Sequence, residues 1–153
     1  MNEPPSQTLK GDLFTRLILD TFRLNGLLLA AGDDLTRDLD LSSALWQVMG
    51  AIKDEPLHMA QIARNMGLTR QSVRRTAQVL AERGLVYFID NPNHKRAKLV
   101  ALTDTGKETL GRVGRIHTRW ANGLAEELNA EDLSRTVRLL RTISDMLTKG
   151  EQS

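Results

Sequence analysis

The 153-residue chain contains no cysteine, which excludes disulfides, thiolate metal sites, nucleophilic thiols and redox sensing by cysteine. It also lacks a long apolar run, since the longest one spans only residues 27–31, whereas a membrane-spanning helix needs about 20 residues. The first eight residues do not have the basic and then apolar layout of a signal peptide. These absences predict a globular protein of the cytoplasm, of single-domain size and without membrane attachment.

Sequence motifs for catalysis and for metal binding are missing as well. The chain has no Gly-rich phosphate loop, no nucleophile elbow and no HExxH-type pair. Its histidines, His58, His94 and His117, have neither the i, i+4 spacing nor the cysteine neighbours of a zinc site. We therefore predict a protein that is not an enzyme and that uses no metal or other cofactor.

Positive charge is concentrated in one part of the chain. The net charge of +2 is the sum of −4 for residues 1–63, +6 for residues 64–98 and zero for residues 99–153. The basic residues of the central window are Arg64, Arg70, Arg74, Arg75, Arg83, Lys95, Arg96 and Lys98. This local excess predicts contact with a polyanion, and a solvated basic surface is the alternative.

Apolar periodicity and turn residues predict the order helix, helix, helix, helix, β-hairpin, helix, helix. Ser42 or Ser43 is expected to cap the second helix, Thr69 to cap the fourth, and Gly84 to end it. The first predicted helix covers residues 12–31, and the second carries residues 45–52 and ends before Pro56. The later helices are predicted at residues 59–66, 70–83, 104–128 and 131–149, and the strands at residues 86–89 and 98–102. Residues 1–11 are interpreted as a flexible tail, and residues 33–40 as an acidic connector.

Residues 62–73 have the pattern of a helix-turn-helix. Ala63 is small where the two helices would cross, Gly67 permits a tight turn, and Val73 points back into a shared core. On the second helix, the arc beside the apolar one contains no acid and consists of Arg70, Gln71, Arg74, Arg75 and Gln78. Because arginine and glutamine pair bidentately with guanine and adenine, this arc predicts a DNA recognition helix, with Arg64 as a further contact.

The predicted hairpin after this helix carries Lys95, Arg96 and Lys98 around its turn. A helix-turn-helix followed by a hairpin is a winged helix, and an arginine at the wing tip suits a narrow minor groove. A basic hairpin that merely keeps a sheet edge soluble is the alternative. We predict a mainly α fold with a small β-hairpin wing, in which residues 41–104 form a winged helix-turn-helix that binds double-stranded DNA.

An ordered set of segments across about residues 12–149 resembles the MarR family of bacterial transcriptional regulators. The segments are LWQV at 45–48, IAR at 62–64, GLT at 67–69, the stretch from Leu80 to GLV at 84–86, and LTDTGK at 102–107. The resemblance implies a homodimeric repressor of a pseudo-palindromic operator, in which residues 12–36 and 105–149 form a helical dimerisation region. The dimer contacts would then come from Leu13, Leu17, Leu133, Val137, Leu140 and Leu147.

The wing departs from the family pattern at one position. Asn91, Pro92 and Arg96 match that pattern, and Arg96 lies where the minor-groove arginine is expected. His94 occupies the position of the acid that would orient this arginine. Insertion of the wing through Arg96 is therefore expected with weaker bracing, because a histidine stands where the family pattern has the acid.

The resemblance also implies a cleft for a small aromatic or lipophilic effector that releases the repressor from DNA. Candidate lining residues are Phe22, Trp46, Met49 and Trp120, for which packing in the core is the alternative. A different interpretation of the whole chain is a protein–protein interaction module whose basic face binds an acidic partner.

Overall fold

The computed structural model describes residues 6–150, which form six α-helices and a three-stranded antiparallel sheet. The elements are α1 (Leu9–Thr36), α2 (Ser43–Ala51), β1 (Leu57–His58), α3 (Met59–Met66), α4 (Arg70–Glu82), β2 (Val86–Ile89), β3 (Leu99–Leu102), α5 (Asp104–Ala125) and α6 (Ala130–Gly150). The chain divides into two compact units, and the boundary lies within α5 between Gly114 and Arg115. The predicted mainly helical fold with a small β wing is confirmed.

The hydrophobic core of the first unit is formed by α2, α3, α4, the sheet and the first turns of α5. Val73, Ala77 and Leu80 follow one another at the spacing of a single helix face, and all three are fully buried. They pack in the same cluster as Met49 and Val100. Burial of each large aliphatic side chain contributes about 1.5–3 kcal/mol, so this core fixes the position of α4.

The turn between α3 and α4 has the geometry that its sequence predicts. Gly67 ends α3 in the left-handed region, with φ +63°, where glycine carries no steric penalty. Thr69 caps α4, since its Oγ1 accepts the backbone N–H of Ser72 at 3.0 Å. The predicted bounds of α3 are confirmed, and those of α4 differ by one residue at its C-terminus.

Helix α1 is longer at both ends than the sequence predicts. Thr8 caps it, so residues 9–11 are helical rather than part of a tail. At its other end α1 continues to Thr36 and is followed by a 3₁₀ turn at Arg37–Leu39, so most of the predicted connector is helical. Asp33 lies in this extension of α1, and its carboxylate accepts the backbone N–H of Ser43 at 2.7 Å, which stabilises the start of α2.

The short strand β1 is a feature that the sequence does not reveal, because two residues are too few to show an alternating pattern. Leu57 pairs with Val100 and His58 with Leu99, which places β3 in the middle of the sheet order β1-β3-β2. The wing therefore extends from a three-stranded sheet rather than from an isolated hairpin.

Helix α5 is shorter than predicted, since it ends at Ala125 instead of residue 128.

Gly106 is required where α5 packs on the chain that leaves α4. A Cβ atom at this position would lie 2.0 Å from the carbonyl oxygen of Leu85, a backbone atom that has little freedom to move. Gly106→Ala should therefore lower the free energy of unfolding by about 1–3 kcal/mol. Gly114→Ala, in the same helix but with no atom within 4 Å of the added Cβ, should raise it by up to about 1 kcal/mol.

Chemical denaturation of the two variants at one protein concentration measures this difference. Equal stabilities of the Gly106→Ala and Gly114→Ala proteins would contradict the close approach at Leu85.

Two helices leave large apolar side chains uncovered. In α6 these side chains are between 40% and 68% exposed, and no described residue of the helix is buried. Helix α1 has a similar exposed set, and its buried residues are Gly32 and Thr36, near its C-terminal end. None of the helices in the described range is both long and apolar enough to cross a membrane.

Candidate nucleic-acid interface

Helix α4 presents its polar arc to solvent. Its apolar face is anchored in the core through Val73 and Ala77, so the opposite side chains point outwards. The side chains that the sequence predicts as base contacts, Arg70, Gln71, Arg74, Arg75 and Gln78, are all exposed. The core thus fixes the helix while its arginine and glutamine side chains remain accessible.

A groove of about 790 Å³ runs between α4, the start of α3 and the wing. Six of the nine predicted DNA contacts line it, namely Arg70, Gln71, Arg74, Gln78, Arg96 and Lys98. Arg64, Arg75 and Lys95 are exposed but do not line it. The groove brings residues from two predicted contact elements, the recognition helix and the wing, onto one surface.

Most cations of this surface have no carboxylate partner. Among residues 6–150, no ion pair involves Arg70, Arg74, Arg75, Lys95 or Arg96. Arg70 and Arg74 are one helical turn apart, and like charges at this spacing destabilise a helix by a few tenths of a kcal/mol. A bound polyanion would remove this repulsion.

The wing is built from consecutive turns between β2 and β3. The Asn91 side chain accepts the backbone N–H of Asn93, and the carbonyl of His94 accepts the N–H of Ala97 at 3.1 Å. Asp90 lies 4.0 Å from the Lys98 ammonium, and both side chains are well exposed, so this pair is weak. Within the described chain no acid pairs with Arg96. The replacement of the family's acid by His94 predicts this.

The structure adds residues to the groove that the sequence did not single out as DNA contacts. These are His58, Met59, Ala60, Phe88 and Ala97. His58 caps α3, because its Nδ1 accepts the backbone N–H of Gln61 at 3.1 Å. Histidine is not among the favoured capping residues, so its position before an apolar run gave no signal.

The candidate effector residues lie in different environments, and none of them lines the groove. In the first unit Met49 is fully buried in the core, Trp46 is half-buried against it, and Phe22 is 70% exposed on α1. In the second unit Trp120 is half-buried, and its ring centroid lies 5.7 Å from that of His117. A role for these residues in ligand binding stays a prediction.

The predicted dimer contacts are on the uncovered helices. In the single chain Leu17 is half-buried, and the others, Leu13, Leu133, Val137, Leu140 and Leu147, are exposed. The structure contains no second chain, so their pairing stays a prediction. The described residues also hold no cluster of three or more side chains suited to a metal ion.

Comparison with known proteins gives the chain its family. A sequence model of the MarR family matches residues 39–97. An uncharacterized protein of Mycobacterium tuberculosis is 33% identical over 130 residues, which cover 85% of this chain and 91% of that protein. The transcriptional regulator TcaR of Staphylococcus aureus is 30% identical over 114 residues, covering 72% of this chain and 75% of TcaR. The chain belongs to the MarR family.

Solved structures of MarR-family proteins have the same fold. Sco3205, a MarR-family transcriptional regulator of Streptomyces coelicolor in complex with DNA, superposes with a TM-score of 0.77 at 22% identity, over 96% of this chain and 93% of Sco3205. A Staphylococcus aureus MarR in complex with salicylate and kanamycin has a TM-score of 0.72 at 17% identity, over 92% of this chain and 96% of that protein. As a MarR-family winged helix, this chain is a DNA-binding transcriptional regulator and not an enzyme.

Proposed function

We propose that this MarR-family regulator is a homodimeric repressor that reads a pseudo-palindromic operator with two copies of the groove between α4 and the wing. The observation that carries the proposal is the cluster of exposed arginine, lysine and glutamine side chains in and beside this groove. Among residues 6–150, five of these cations have no ion-pair partner, namely Arg70, Arg74, Arg75, Lys95 and Arg96. Arginine and glutamine on α4 are suited to the edges of guanine and adenine in the major groove. The structure of Sco3205 in complex with DNA supports DNA binding by a protein of this fold.

Each predicted DNA contact has a role that its position supports. Arg70, Gln71, Arg74 and Gln78 would reach base edges, with Arg75 and Arg64 on adjacent phosphates. Arg96 would enter the minor groove, while Lys95 and Lys98 would contact the backbone on either side. In bacteria the chromosome is transcribed in the cytoplasm, which is where we expect a regulator of this family to act.

Selection from a random duplex library, followed by footprinting on the selected sequence, tests the proposal. We expect a protected site with two symmetric halves about one helical turn apart, about 34–36 Å. The logarithm of the affinity should fall linearly with the logarithm of the salt concentration. Binding without any sequence preference, or binding only to an acidic protein, would reject the operator-reading role.

Lys95→Ala should flatten the salt dependence of DNA binding. Lys95 is exposed at the wing tip and has no ionic partner among the described residues, so it is free to neutralise one phosphate. Its loss should reduce the slope of the log–log plot by about one unit and weaken binding to all sequences alike. Lys53→Ala, which removes an exposed lysine that does not line the groove, should leave the slope unchanged.

We further propose that a small aromatic or lipophilic molecule releases the repressor. A ligand that favours a dimer with the wrong half-site spacing would shift the population away from DNA, by no more than its differential affinity for the two states. The relative bound to salicylate supports this class of ligand, and Phe22, Trp46, Met49 and Trp120 are the residues to mutate. Titration of the operator complex with salicylate tests the response, which should appear as release of the DNA.

A further inference from the structure

His58 lies where three parts of the DNA-binding unit meet. It is the last residue of β1 and pairs with Leu99 of β3, the strand that follows the wing. Its side chain caps α3 through the bond from the Gln61 backbone N–H. His58 also lines the groove, together with Arg70 and Arg96. One residue therefore connects the sheet, the helix-turn-helix and the proposed DNA surface.

The cap determines which ring nitrogen of His58 carries the proton. Because Nδ1 accepts a hydrogen bond, it is unprotonated, and the neutral ring then carries its proton on Nε2. No residue in the described part of the chain accepts a hydrogen bond from this Nε2–H. Asp54 and Glu55 line a depression that His58 also borders, but neither of them pairs with it.

The surroundings of this unused donor are positively charged on the groove side. Arg70, Arg74, Arg96 and Lys98 line the same groove. An anionic oxygen in the groove would give this Nε2–H a charge-assisted hydrogen bond, which is stronger than one between neutral groups. Phosphate oxygens of a duplex are acceptors of this kind, and contacts to them fix the position of a protein on DNA.

We propose that His58 is a DNA-contacting residue of the groove: Nδ1 holds the ring by capping α3, and Nε2–H donates to a backbone phosphate. The proposal rests on the proposed DNA-binding role of the groove. It assigns a DNA contact to the beginning of α3, outside the recognition helix and the wing.

Three substitutions separate the two roles of His58. His58→Asn and His58→Asp both supply a favoured cap for α3, so the two variants should unfold at similar denaturant concentrations. Only the aspartate places a negative charge where a phosphate is expected. Its affinity for the selected duplex should be at least about tenfold lower than that of His58→Asn at low salt, and the difference should shrink as added salt screens the repulsion. His58→Ala removes the cap and should lower both stability and affinity.

The same exchange at another helix cap provides the control. Ser42 caps α2 and does not line the groove, so Ser42→Asn and Ser42→Asp should bind the duplex with equal affinity. Equal affinities of His58→Asn and His58→Asp would show that His58 only caps the helix, and would overturn the proposal. If the wild-type protein has no salt-dependent affinity for duplex DNA, the proposed function itself fails, and the His58 contact fails with it.

Discussion

Arg74→Ala is expected to weaken binding to the preferred duplex by about 1–3 kcal/mol and to relax the base preference at one position. Arg74 is exposed in the middle of α4, lines the groove and has no ionic partner among residues 6–150. Alanine is the best helix former, and the change also removes the repulsion with Arg70. The stability of the protein should therefore stay the same or rise slightly, so that a loss of affinity reports on the interface.

Arg74→Lys distinguishes a base contact from a phosphate contact. Lysine keeps the charge and loses the planar fork that pairs with guanine, so the salt dependence should be preserved while the base preference is relaxed. A loss that is equal on every sequence would instead identify Arg74 as a phosphate contact. Quantitative binding to a panel of single-base variants of the selected duplex makes this measurement.

The double variant Arg74→Ala, Arg75→Ala should no longer give a footprint at concentrations where the wild type protects its site. Arg75 lies beside the groove rather than in it, so its contribution to the binding affinity should not depend on the DNA sequence. Arg112→Ala, which removes an exposed arginine of α5 outside the groove, provides the matched control and should bind normally. Protection by the double variant at wild-type affinity would reject α4 as the recognition helix.

The helix-turn-helix was predictable from sequence because its determinants are local. Gly67 favours a left-handed turn, Thr69 caps the next helix, and the apolar spacing from Val73 to Leu80 fixes which face is buried. Each of these signals acts within one or two helical turns. The exposure of Arg74 follows directly from the burial of its neighbours.

Features that depend on contacts distant in sequence were not predictable in the same way. Asp33 and its acidic neighbours have the composition of a connector, yet Asp33 bonds to Ser43, ten residues away, and α1 continues to Thr36. Strand β1 exists because Leu57 reaches Val100. His58 lies at the groove because of that strand pairing and its cap on α3. No residue near it in the sequence indicates this position.

The composition of the groove shows the limit of a helical wheel. The wheel places Arg70, Arg74 and Arg75 in one polar arc, but in the structure only Arg70 and Arg74 line the groove that α4 shares with the wing. The fold thus divides a uniform basic window into residues that face the groove and residues that surround it. For the side chains of α4, this division is the basis for assigning base contacts to the first group and phosphate contacts to the second.

Leu140→Glu is expected to convert the proposed dimer to a monomer and to reduce operator affinity by at least about a hundredfold. Leu140 is 40% exposed in the single chain and shares one face of α6 with Leu133 and Val137, which are similarly exposed. A carboxylate inside an apolar interface would be desolvated without a partner, at a cost of several kcal/mol. Each DNA-binding lobe would then bind its half-site alone. It would lack the increase in affinity, about 10²–10⁴-fold, that linking two binding sites provides.

Thr142→Glu introduces the same charge on the other side of α6. Position 142 is about 200° further around the helix than position 140, and the Thr142 hydroxyl bonds only to the Arg138 carbonyl of its own helix. This variant should remain dimeric and bind the operator as the wild type does. Analytical ultracentrifugation gives the oligomeric state of both proteins. The ratio of their affinities for a full and a half operator measures the gain from binding two half-sites at once.

If the proposed dimer forms, the stability of the wild type should also depend on protein concentration, because mass action favours the dimer as the concentration rises. Its melting temperature should rise with protein concentration, whereas that of Leu140→Glu should be lower and independent of it. A Leu140→Glu protein that sediments as a dimer and binds the full operator at wild-type affinity would show that this face of α6 is not the interface. The exposed apolar side chains of α6 would then need a different partner, since contiguous apolar patches on a protein surface usually mark an interaction site.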